Sequence, residues 1–97
     1  MKYRFIEDPG HGWLEVPFHE VQELEIEKKI SGCSYVGLLN GRLMIYLEED
    51  CDASEFFKAY KEKHGVPPEH ITIYQENTPI RKMKHYHNPD YKWEGGV

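Results

Sequence analysis

Long apolar runs are missing from this chain. Its apolar stretches, such as Leu43–Leu47, are a few residues long, against the roughly 20 needed to cross a bilayer as a helix. No membrane-spanning helix is expected, and no membrane partner. Cysteine is scarce: Cys33 and Cys51 lack CxxC spacing, so neither a redox motif nor a zinc ribbon is written in the sequence. Two free thiols in a reducing compartment are the expectation, with a metal pair or a redox switch as the alternatives. The N-terminal segment lacks the apolar h-region of a signal peptide, which points to a cytoplasmic location. Repeats, low-complexity tracts and linkers are also absent.

Aromatics are plentiful, at 13% of 97 residues, and hydrophobic residues reach 39%. That balance fits one small globular domain over residues 1–97 and not a disordered chain. The net charge is −5, spread unevenly. Residues 1–77 hold 8 Lys/Arg against 15 Asp/Glu, whereas residues 78–97 hold 4 against 2. An acidic body disfavours duplex nucleic acid and favours a basic partner surface. The plainer account is that these acids keep a small domain soluble.

Lys2 to Glu7 alternates, with Tyr3 and Phe5 on one side and Arg4 and Ile6 on the other, which is the period of a strand. A turn over Asp8–Gly12 and a strand over Trp13–Val16 complete a hairpin. Pro17 opens a helix in which Phe18, Val21 and Leu24 share a face through Glu25. Asn40-Gly41 between apolar runs marks a tight hairpin, because a type I′ turn needs positive φ twice. Asp52 to His64 reads as the best helix, with Asp52 and Glu55 as a capping pair. Its stripe is Ala53, Phe56, Phe57 and Tyr60, and Gly65 closes it. His70–Glu76 alternates as a strand, Ile80–His87 reads as a last edge strand, and 88–97 reads as a mobile tail. The expectation is an α+β fold in the order β-β-α-β-β-α-β. A mostly antiparallel sheet of four to six strands carries two helices on one face.

Several landmarks carry a resemblance: Asp8-Pro9-Gly10-His11-Gly12-Trp13-Leu14-Glu15-Val16, Lys29-Ile30-Ser31, Ser34-Tyr35, Tyr46-Leu47-Glu48-Glu49-Asp50 with Asp52, and Ile80-Arg81 with Tyr86. From Phe5 to Tyr86 the chain resembles a family of small uncharacterised proteins encoded by phages and plasmids. The resemblance implies an accessory protein acting inside a bacterial cell, and it brings no catalytic residues. One departure is Glu25, where similar proteins carry glycine, and it suggests that the first helix runs on.

Four groups of residues are candidates for function. The Asp8–Trp13 loop could offer backbone N–H groups to an anion beside His11 and Trp13. Equally, Asp8 could bond the turn while Trp13 plugs the core. Glu48, Glu49, Asp50 and Asp52 could face a basic partner or a hard cation, or could simply precede a helix N-terminus. His85 and His87 share a strand face, but no four-ligand metal pattern appears, so no metal or other cofactor is expected. Arg81, Lys84 and Tyr86 interleave charge with aromatic surface, which suits a phosphorylated ligand or an edge strand protected from pairing. No nucleophile–base pair supports an enzyme.

The leading expectation is a binding protein that interferes with a host protein, a defence system included, through an acidic face. Asp8, His11, Trp13, Glu48, Glu49 and Asp50 would form that face. The alternative is sequestration of a small nucleotide or signalling ligand by His11, Trp13, Arg81, Lys84 and Tyr86, with a homodimer supplying the pocket volume.

Overall fold

The computed structural model describes residues 2–87, so the tail expected over 88–97 lies outside them. The fold is α+β. Six strands order as β5-β1-β2-β4-β3-β6. They are β1 (Lys2–Glu7), β2 (Gly12–Pro17), β3 (Tyr35–Leu39), β4 (Arg42–Glu48), β5 (Glu69–Tyr74) and β6 (Lys84–His85). Helices α1 (Phe18–Glu23) and α2 (Ala53–His64) complete the set. Every pairing is antiparallel except β1 with β5, which runs parallel. Among the described residues, no helix is long and apolar enough to cross a membrane.

The two-residue Asn40-Gly41 loop forms as its chemistry requires, with φ of 52° and 80° and Leu39 opposite Arg42. The period of two sorts the strands into two faces. Tyr3, Leu14, Val16, Ile45 and Leu47 point to the helices and pack with Val21, Ile26, Ile30 and Phe56. Ile6, Trp13, Met44 and Tyr46 point the other way. There the chain after β5 returns as a single 3-10 turn, Pro79–Lys82, and Ile80 closes a second small core. Met83 packs against it, and a Cβ on Gly37 would come within 2.8 Å of the Met83 sulfur. The edge strand expected over Ile80–His87 is therefore a 3-10 turn followed by the two residues of β6.

Charge is also buried on this second face. Glu15 takes Arg4 in two hydrogen bonds of 2.7 Å and accepts a third from the Tyr46 hydroxyl at 3.0 Å. A buried carboxylate held this way avoids the cost of an unpaired charge.

Two helix boundaries differ from expectation. First, α1 does not run on through Glu25. Ile26 N–H donates to Val21 O and Glu25 N–H donates to Gln22 O, the two bonds of a Schellman motif. The motif demands a left-handed residue, and Glu25 supplies it at φ 58°. Buried Ile26 and Val21 make the accompanying apolar contact, so packing of this stop outweighs the backbone cost of a glutamate there. Second, Asp52 does not cap α2 with its side chain. Its carboxylate turns away to Ser31 and Ser34. Gly65 closes α2 as expected, at φ 79°.

Glu25→Gly should stabilise the protein. It removes a left-handed penalty of roughly 1–2 kcal/mol and adds an unfolded-state entropy cost of roughly 0.4–1 kcal/mol. The expected net gain is about 0.5–1 kcal/mol, read as a higher urea midpoint at unchanged slope. A lower midpoint would show that the Glu25 side chain itself holds the turn.

Candidate functional site at one end of the sheet

The loop between β1 and β2 is built around Asp8. Its Oδ1 accepts the N–H groups of Gly10 at 2.9 Å and His11 at 2.8 Å, the bonds that a short acidic side chain makes in a turn. The same carboxylate meets Arg81 through two guanidinium nitrogens, at 2.5 and 3.0 Å. The Arg81 guanidinium, foremost, and the two backbone donors hold the Asp8 carboxyl well below the usual carboxylate range, against the opposing effect of burial. Arg81 also lies over the Trp13 ring, 5.5 Å from its centroid. That distance is within cation–π range. The Trp13 side chain fills the second core, and its Nε1 meets no partner among the described residues.

The chain leaving β4 meets this loop. Glu49 N–H donates to Gly12 O at 3.0 Å. Glu48 is buried and divides its carboxylate between two tasks. Oε2 accepts the N–H groups of Asp50 and Cys51 at 2.8 and 3.0 Å, and Oε1 lies 3.3 Å from His11 Nδ1. Glu49 and Asp50 are exposed. Local desolvation first, then the charges of Asp50, Glu48 and Glu7, raise the Glu49 carboxyl above its ordinary value, while His11 opposes them.

A third piece is locked alongside. Buried Asp52 accepts Ser31 N–H at 2.9 Å, Ser31 Oγ at 2.8 Å and Ser34 Oγ at 2.5 Å. Ser34 Oγ in turn accepts Glu48 N–H at 3.1 Å. This clamp draws the 31–34 turn against the β4–α2 connection, and Cys33 comes beside Cys51. The Cys51 thiol is pushed up to about 12, first by its hydrogen bond with Cys33, then by partial burial and by Glu48. A thiol protonated near neutrality is not poised as a nucleophile. Together these pieces line a cleft of about 270 Å³ whose walls are His11, Trp13, Cys33, Tyr35, Glu48, Asp50, Cys51 and Arg81.

The six residues expected to form the acidic face thus come together. They divide, however, into exposed His11, Glu49 and Asp50 and buried Asp8, Trp13 and Glu48. The five residues expected to hold a phosphorylated ligand do not converge. His11, Trp13 and Arg81 share the cleft. Lys84 sits on β6 opposite Val36. Tyr86 is buried in the helix-side core, its hydroxyl donating to Glu27 O at 2.6 Å. Tyr86 is therefore a core residue, and alternation in an imagined edge strand misplaced it. Neither thiol stands out in the sequence as part of a site, because residues 18 apart with no CxxC spacing carry no local signal. Comparison with protein-family models, curated proteins and solved structures yields no match.

Two measurements test this architecture. Asp52→Ala removes three hydrogen bonds to a buried carboxylate and should cost about 3 kcal/mol in urea unfolding. A loss of a few tenths would mean that the clamp is ornamental. For Asp8, the folded pKa lies below the unfolded value of about 3.9. Its contribution is therefore complete above about pH 4 and fades as pH falls through the folded value. Asp8→Asn should be less stable than the parent at pH 7, and the gap should narrow by pH 3. An equal gap at both pH values would sink the assignment.

Proposed function

We propose that this chain is a non-enzymatic accessory binding protein of phage or plasmid origin, and that it interferes with a host protein by docking the acidic end of its sheet onto a basic surface. One observation carries this reading. Glu7 lies opposite Gly12, Glu49 N–H bonds Gly12 O, and Asp50 N–H bonds the Glu48 carboxylate, so four acids gather where β1 and β4 end and β2 begins. The nearby Arg81 is engaged by Asp8. Such a surface carries a net negative field, and a cationic partner relieves the repulsion within it. The resemblance in the Asp8–Val16 and Tyr46–Asp50 segments supplies the phage or plasmid setting and the cytoplasm of a bacterial host as the place of action.

The same geometry weakens the small-ligand alternative. Arg81 is engaged by Asp8, Lys84 lies apart and Tyr86 is internal, so few free donors face a phosphate.

The test uses Glu7→Lys with Glu49→Lys, since Glu48 holds the turn and its reversal would unfold the loop. A defined Lys/Arg-rich peptide, titrated into isotope-labelled protein, should shift the amides of residues 7–13 and 48–51. The double reversal should weaken binding at least tenfold, and added salt should weaken binding to the parent. Shifts centred elsewhere, or binding indifferent to the reversal, would count against the docking face. Affinity capture from a bacterial lysate with parent and reversed protein would then identify the host target.

A further inference from the structure

We infer that His11, Glu48 and Asp50 form a binding site for a divalent metal ion of the Zn²⁺ class. One ligand atom from each residue lies within 4.8 Å of the others. The His11 Nδ1 to Glu48 Oε1 separation is 3.3 Å. A tetrahedral ion bound at about 2.0–2.1 Å places its ligand atoms roughly 3.3 Å apart, so this pair already spans one edge of the coordination polyhedron.

The supporting contacts are those a metal site needs. Glu48 Oε2 is fixed by two backbone donors, Asp50 N–H and Cys51 N–H. Oε1 is thereby held toward His11, with the orientation set by the surrounding backbone. The His11 backbone is anchored in turn by Asp8 Oδ1. Asp50 follows Glu48 by two residues on the same turn, and its backbone is pinned by Glu48 itself.

The ligand set selects the ion. Imidazole favours a borderline cation over Mg²⁺ or Ca²⁺, which take all-oxygen shells. The three ligands line the same cleft as Trp13, Tyr35 and Arg81, which leaves open volume beside them for a further ligand such as water. The two carboxylates bring the charge of the occupied site to neutral, while Arg81 stays neutralised by Asp8.

This inference goes beyond the docking reading, and the two fail separately, because neither Glu7 nor Glu49 is a ligand. The experiment is calorimetric titration of the reduced protein with Zn²⁺ in excess Mg²⁺, with the parent, His11→Ala and Asp50→Asn compared. One ion per chain should bind the parent, and each variant should lose at least about tenfold in affinity. His11→Ala removes a half-exposed side chain, so an unchanged circular dichroism melt is expected and separates ligation from folding. The His11 ring resonances should shift on addition of Zn²⁺. Absence of saturable binding, full competition by Mg²⁺, or equal binding by His11→Ala would overturn the assignment.

Discussion

The buried carboxylate of Asp52 is the contact on which the functional end depends. It lies at the start of α2, where a short acid ordinarily caps the helix. Here its oxygens go to Ser31 and Ser34. The first turn of the helix gives up a side-chain cap, and the long connection between α1 and β3 gains an anchor. Ser34 then passes the constraint to the last residue of β4 through Glu48 N–H. Glu48 passes it on to the Asp50–Cys51 turn and to His11. Three segments distant in sequence, around His11, Ser31–Ser34 and Glu48–Asp52, are held in register by one chain of buried and part-buried hydrogen bonds. Polar networks of this kind rigidify a structure when every member is satisfied.

That network explains how much was legible in the sequence. Local chemistry was readable. Asn40-Gly41 announced its turn, the alternation in Lys2–Glu7 sorted its faces correctly, and Gly65 marked the end of α2. Tertiary demands on local chemistry were not. Glu25 looks like a helix former, yet it occupies the left-handed seat of a Schellman stop because Ile26 must reach the core beside Val21. Asp52 and Glu55 have capping-box spacing, yet a competing pair of serines claims the acid.

The candidate site was half legible for the same reason. Asp8 to Trp13 and Glu48 to Asp50 stood out as unusual clusters, and adjacent strands bring them together. Arg81 reads in the sequence as part of an edge strand and of a ligand site with His11 and Trp13, but 73 residues separate it from the Asp8 that engages it. Nothing in either neighbourhood signals the pairing. Cys33 and Cys51 became neighbours only through the serine turn, whose partner lies across the fold. Spacing rules report contacts made along one element, and these contacts are made between elements.

The placement of β1 between β2 and β5 has a consequence for synthesis. The pairings β1–β2 and β3–β4 join segments close in sequence and can form as soon as each emerges from the ribosome. The parallel pairing of β1 with β5 joins residues 2–7 to residues 69–74. Until β5 is made, β1 presents an open edge of backbone donors and acceptors, the kind that invites wrong partners. Closing it is a long-range step late in vectorial folding. Tyr3, whose ring packs edge-on against Phe56 and Tyr60 of α2, must likewise wait for an element made about fifty residues later, though one that precedes β5. The nascent chain therefore carries the β1–β2 hairpin half-covered until β5 arrives, and commitment to the native sheet comes with that strand.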